Sequence, residues 1–281
     1  MKRMMCLFVA MLMLCACALA EDASIGIIGG ADGPTAIYVA TAEEPQVVQI
    51  VGSVESAEVS EEIAADEALE PAEELRLSGV SIGIDPGHQA HANSEREPMA
   101  PGSGEMKAKV SSGTQGVSTR IPEYVTNLEV SLKLREALEA LGATVYMTRE
   151  THDVDISNME RALMFNDLGV DLVLRIHCNG SNNSGANGAG TYARRTGEKQ
   201  EECERAATLV LDALCEATGA RRDGVFINDN YTGQNWSTVP CIMVEMGFMS
   251  NAEEDRKLND PDYQDLLAAG MVEGICQYFE R

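Results

Sequence analysis

Three short apolar runs in this chain each end in a side chain that can bind a metal ion or move a proton. Residues 80–84 lead into Asp85-Pro86-Gly87-His88, residues 172–176 into His177, and residues 241–244 into Glu245. Runs of this length, bounded by turn residues, read as buried strands. In an open α/β sheet, ligands bind just past the carboxyl ends of the strands. Three such ends, far apart in sequence, point to one assembled site, which the helix-opening Glu123 could complete.

Between the runs the pattern is helical. Over residues 123–141, Leu128, Leu132, Arg135 and Leu138 share one side, widened by Leu134 and Leu141. Gly142 supplies the stop, and residues 143–148 read as a strand. Ser157 with Glu160 three residues on makes a capping box for a helix over 157–168, ended by Gly169. A strand at 171–176, a Gly/Asn/Ser-rich loop at 179–188 and a short strand near 190–193 follow. A helix over 198–218 closes at Gly219, and a strand at 239–244 precedes a last helix over 261–279. Strands alternating with helices specify α/β architecture, a largely parallel sheet covered on both faces. Residues 79–281 read as a single catalytic-sized domain.

The chain opens with Lys2 and Arg3, an apolar stretch to about Leu14, and Ala18-Leu19-Ala20. This is the pattern of a secretory signal peptide over residues 1–20, too short for a comfortable membrane span. Leu14-Cys15-Ala16-Cys17 is a loose match to a lipoprotein box with Cys17 as the lipidated residue; cleavage after Ala20 is the preferred reading. Export leaves five cysteines, Cys178, Cys203, Cys215, Cys241 and Cys276, in no CxxC zinc spacing. They read as buried free thiols, with a Cys178–Cys241 bridge between neighbouring strands as the alternative.

The formal net charge is −24, and losing Lys2 and Arg3 makes it −26. That excludes a nucleic-acid binder, which needs basic patches, and electrostatic adhesion to anionic membranes. Residues 21–78 hold fourteen acids against one base, Arg76. Within them, residues 41–78 lack aromatic side chains and read as a solvated tether, with a lone acidic helix over part of 60–75 as the alternative. Residues 24–40 differ: two apolar runs flank Gly-Gly-Ala-Asp-Gly-Pro. This stretch resembles a piece of the β subunit of sodium-pumping decarboxylases, but without that membrane context nothing carries ion transport onto Asp32. By pattern it is a β-hairpin-like docking or assembly segment.

Proline and glycine hold His88 in a tight turn at a strand edge. Two of the four histidines thus stand at two strand ends, while His91 and His152 sit in polar loops as solvated or supporting groups. A catalytic zinc site takes three ligands from His and carboxylate and leaves a place for water. Glu123 and Glu129 both qualify as the third. Six residues of helix turn them well apart, so only one can face the site, and spacing does not choose. Glu245 lies between Ile242-Met243-Val244 and Met246-Gly247-Phe248. Burial there lifts a carboxyl toward the range of a general base; the alternative is an ion pair with a buried arginine such as Arg149 or Arg175.

Taken in order, Asp85-Pro86-Gly87-His88, Glu123 with Asn127-Leu128, Thr148-Arg149-Glu150, Glu160-Arg161-Ala162, Arg175-Ile176-His177-Cys178-Asn179 and Val244-Glu245-Met246-Gly247-Phe248-Met249-Ser250-Asn251 resemble the zinc-dependent N-acetylmuramoyl-L-alanine amidases of the amidase-3 type. The likeness spans about residues 80–280. It implies His88, Glu123 and His177 as Zn2+ ligands, Glu245 as the catalytic glutamate, and a mixed sheet with helices on both faces. It also implies hydrolysis of the amide between N-acetylmuramic acid and L-alanine of peptidoglycan, outside the cytoplasm. A zinc peptidase on stem peptides and a non-catalytic peptidoglycan-binding or regulatory domain are the alternatives. Residues 89–122 depart from the family, being longer and more polar; they read as an unstructured insertion forming one wall of the groove. Cys178 stands where the family often has a small residue. Arg149, Arg161 and Arg175 match family positions and read as structural ion pairs.

Overall fold

The computed structural model describes residues 75–280 and, ahead of them, the strands β1 (Ser24–Ile28), β2 (Ala36–Thr41) and β3 (Glu44–Val48). The chain divides into two units, residues 1–69 and 70–281. In the first, β1 pairs antiparallel with β2, Ile27 opposite Ile37. β3 joins β2 antiparallel, so residues 44–48 form a strand within the stretch read as tether. The expected signal sequence at 1–20, Cys17 and the acidic stretch 60–74 lie outside the described residues.

The second unit includes residues ahead of Gly79. Leu77 is fully buried, its N–H donates to the Leu141 carbonyl at 2.8 Å, and Arg76 pairs with Glu273. In chain order come β4 (Ser81–Pro86), a hairpin of β5 (Asn93–Pro98) and β6 (Met106–Val110), α1 (Glu123–Ala140), β7 (Thr144–Met147) and α2 (Asn158–Leu168). Next are β8 (Leu172–Asn179), β9 (Ala189–Ala193), α3 (Gln200–Thr218), β10 (Arg222–Ile227) and α4 (Thr232–Trp236). The chain closes with β11 (Cys241–Phe248), α5 (Ala252–Leu258) and α6 (Pro261–Tyr278).

Six strands form one mixed sheet in the order β10-β9-β11-β8-β4-β7. β11, β8, β4 and β7 run parallel, and β9 reverses against β11. β8 is buried from Leu172 to Cys178, which is why it reads as an unbroken apolar run and not as an alternation. On one face Ile82, Ile84, Leu174 and Val244 pack against Leu134 and Leu138 of α1, Val210 and Leu211 of α3, and Leu267 and Met271 of α6. Gly270 and Gly274 let α6 lie directly on α3: a Cβ on Gly274 would come within 2.4 Å of the Val210 Cα. On the other face Phe165 of α2 packs with Val173 and Cys241, its ring against the bare Cα of Gly83. Helices thus cover both faces, as the strand–helix alternation specifies.

The capping box at Ser157 and Glu160 is formed, and Gly169 ends α2 in the left-handed region. Residues 89–122 are a correction: β5 and β6 make an antiparallel hairpin there. β5, NSEREP, lacks the apolar alternation that marks a strand, because it is fastened by polar contacts; β6, MKAKV, does alternate, but over only five residues and with Val110 as its one buried apolar side chain. β10, α4 and α5 also escape the sequence reading. All five cysteines of the second unit are free. Cys241 lies opposite Val173, five residues from Cys178, so the two stand roughly 17 Å apart along the strands, beyond disulfide reach.

Candidate metal centre

His88, Glu123 and His177 meet at the carboxyl end of the parallel strands, with donor atoms all within 4.8 Å of one another. Asp85 builds the first of these positions. Its carboxylate is buried and accepts Nη1 of Arg161 at 2.7 Å, Nε of Arg175 at 2.8 Å and the Thr148 hydroxyl at 2.7 Å. Burial opposes its charge, but the two guanidiniums hold the carboxyl far below the usual range. Arg149 is not an ion pair as expected. It donates to the carbonyls of Pro86, Gly87 and Tyr124, and Arg161 donates to those of Pro86 and His88. So braced, the turn holds His88 at φ 59°, a backbone conformation uncommon for a side chain with a Cβ.

The Nδ1 of His88 faces the Ser111 carbonyl at 2.9 Å. A carbonyl only accepts, so Nδ1 carries a proton and Nε2 is the ring atom left for a ligand. Nε2 lies 3.2 Å from Oε1 of Glu123. Nδ1 of His177 lies 3.1 Å from the same oxygen. Burial pushes His177 down to about 4, so its ring is neutral near pH 7, and its Nε2 has no hydrogen-bond partner. Burial raises the Glu123 carboxyl, but the two imidazoles outweigh it and hold the group well below the carboxylate range. Lone pairs and a carboxylate converging in a buried space form a donor set that fits a cation; two His and one carboxylate are typical of a catalytic zinc position.

Glycines make the close packing feasible. A Cβ on Gly87 would lie 2.2 Å from Cε1 of His177. Gly113, at φ 74°, crosses over Glu123 and His88 where a Cβ would come within 2.8 Å of each. Oε2 of Glu123 accepts the Thr114 N–H at 2.8 Å, and Oε1 accepts the Cys178 N–H and the Asn127 amide. The sequence reading placed residues 111–114 in the 89–122 groove wall but did not foresee that Gly113 lets them cross over the cluster. Glu129 is exposed and takes the Gln264 amide at 3.0 Å, leaving the cluster to Glu123. His91 is exposed, and His152 packs its ring edge on Tyr124. Cys178 is buried, with its thiol pushed well up by burial.

Glu245 stands beside His177 in register across the β8–β11 pair. Its Oε2 is buried without a partner, and neither Arg149 nor Arg175 reaches it. Burial first, and the Glu123 charge second, raise its carboxyl well above the ordinary value. These residues open into a groove of about 1110 Å³, beyond the usual range of small-molecule pockets. Asn179, Ser181 and Asn182 line one side, and Arg96, Met106 and Ala108 of the hairpin line another.

The N-acetylmuramoyl-L-alanine amidase family matches residues 82–277, and the Na+-transporting oxaloacetate decarboxylase beta subunit family matches residues 3–56. The germination-specific N-acetylmuramoyl-L-alanine amidase of Bacillus subtilis is 29% identical over 220 residues, covering 73% of this chain and 82% of that protein. The N-acetylmuramoyl-L-alanine amidase LytC of the same species is 28% identical over 72% of this chain but only 36% of its own length. The amidase Ami1 of Mycobacterium abscessus superposes with a TM-score of 0.66 at 26% identity, covering 72% of this chain and 99% of that one. The catalytic domain of CwlV from Bacillus (Paenibacillus) polymyxa gives 0.59 at 26% identity, covering 72% and 98%. With the family match running through the sheet and the His-Glu-His cluster alike, this chain belongs to the N-acetylmuramoyl-L-alanine amidases, hydrolases of cell-wall peptidoglycan.

Proposed function

We propose that the protein is a secreted, zinc-dependent peptidoglycan hydrolase that cleaves the amide joining the lactyl group of N-acetylmuramic acid to L-alanine. The observation that carries this reading is Glu245, a carboxylate with a buried, unpartnered oxygen, set beside His177 at the edge of a three-donor cluster. His88 through Nε2, His177 through Nδ1 and the Glu123 carboxylate would hold Zn2+, with the Ser111 carbonyl fixing the His88 tautomer. Bound there, the ion supplies Lewis acidity, polarising the amide carbonyl and easing deprotonation of water near neutral pH. Glu245 accepts the proton of the attacking water and returns it to the departing alanine nitrogen. Its raised carboxyl suits that exchange, because it is basic enough to take the proton and acidic enough to give it back. The groove's volume and its amide and hydroxyl lining suit a glycan with attached peptide. Export rests on the signal-like pattern of residues 1–20. Among the described residues no helix is long and apolar enough to cross a membrane.

The test is digestion of purified peptidoglycan by the zinc-loaded protein, with mass analysis of the soluble products. Intact stem peptides beginning with L-alanine are expected, lost on chelation and restored by zinc. Glu245→Gln is expected to lower the rate by about 10²–10⁴-fold with metal content unchanged. Cuts within the stem peptide, or no release by the zinc-loaded protein, would overturn the proposal.

A further inference from the structure

Acids outnumber bases by 45 to 21 in this chain, and many cations of the second unit pair with carboxylates. Lys109 pairs with Glu95, Lys133 with Asp265, Arg135 with Glu150, Arg222 with Asp212. Arg96 on β5 is among those that do not, like Arg149, Arg194 and Arg205, whose guanidiniums donate to backbone carbonyls away from the groove. It is exposed, it lines the groove, and its guanidinium donates to the Met106 carbonyl with no carboxylate beside it. In an acidic molecule, a cation left without an acid on a groove wall is placed for an acid that arrives with the ligand.

The wall beneath Arg96 is fixed. Glu97, the next residue, points the opposite way, is buried, and accepts the Met159 N–H at the head of α2 at 3.1 Å. Asn158 donates to the Lys109 carbonyl at 2.7 Å and Trp236 Nε1 to the Pro98 carbonyl at 2.8 Å. Lys107 also lines the groove without a carboxylate, but it is half-buried and donates to the Asn230 carbonyl at 2.8 Å, in the loop before α4. What remains presented is Arg96 with Ala108 opposite it and the exposed Met106 nearby. Glu105, the hairpin acid that also lines the groove, lies at the turn, farther from the metal cluster.

Distance along β6 sets what Arg96 can read. Three residue steps of extended chain, roughly 10 Å, lead from Ala108 to Ser111, whose carbonyl holds His88. An extended peptide covers that span in about three residues. Resting on the amidase reading above, the geometry points to Arg96 as the residue that selects the stem peptide, by receiving a free carboxylate on its second or third residue counted from the scissile amide. The glycan then lies along the amide and hydroxyl side at Asn179–Asn182, which gives the groove a direction.

The test uses the full chain carrying Glu245→Gln, loaded with zinc. Equilibrium binding is measured for a muramyl-peptide with its free carboxylate and for the same peptide with that carboxylate amidated. The charged form is expected to bind about tenfold tighter, a preference that shrinks with added salt. Adding Arg96→Ala or Arg96→Gln should abolish the preference, and Arg96→Lys should keep part of it. Lys109→Ala, on the same hairpin but paired with Glu95, should leave it intact. Equal binding of the two peptides, absence of binding by either, or a preference that survives Arg96→Gln would overturn the assignment. The amidase reading is judged separately, by product analysis with the unsubstituted chain, so the failure of one is distinguishable from the failure of the other.

Discussion

A Cβ on Gly87 would enter the His177 imidazole, so the residue before one candidate ligand is the floor under another. Gly87→Ala must displace ring or turn. The expected outcome is a loss of zinc affinity of about 10–100-fold, read by competition with a chromophoric chelator while circular dichroism stays native. Asp85 acts on the same turn by charge. Asp85→Asn leaves the guanidiniums of Arg161 and Arg175 buried without their carboxylate, for an expected loss of about 3–5 kcal/mol in urea unfolding. The folded state depresses this carboxyl, so its contribution is complete above about pH 4, the unfolded value. It fades as pH falls below that, and the gap between wild type and Asp85→Asn should narrow over the same window.

At the scale of elements, the hairpin hangs on Glu97. Glu97→Ala strips an acceptor from the head of α2 and is expected to cost about 1–3 kcal/mol. Hydrogen exchange should then show residues 93–110 losing protection while β8 and β11 keep theirs. The contrast between these elements explains what the sequence disclosed. β8 and β11 are buried on both faces, so their apolar runs and the His177 and Glu245 that end them were legible directly. The hairpin was not, because β5 buries an acid, Glu97, where an apolar residue would mark the strand, and the alternation of β6 is only five residues long. α4, at five residues, is too short to show one. The choice of Glu123 over Glu129 was beyond spacing as well. It depends on which side of α1 meets Gln264 of α6, a tertiary fact, and only the family likeness anticipated it.

For the molecule as a whole, the folded unit starts earlier than the change in composition at Gly79 implies. A chain beginning at Gly79 loses Leu77 from the core and should unfold with about 1.5–3 kcal/mol less stability than one beginning at Glu70, checked by denaturant titration of the two. The five free thiols should all alkylate after unfolding without reductant. β6 runs without a break into the 111–114 crossing that holds His88 and Glu123. The part of the chain that meets the peptide and the part that steadies the metal ligands are therefore one ribbon with two jobs, three residue steps apart. For engineering, that makes the hairpin a cartridge. Its outward face is open to exchange for another preference, Glu97 is the latch to retain, and Ser111 marks where replacement must stop if the cluster behind it is to survive the swap.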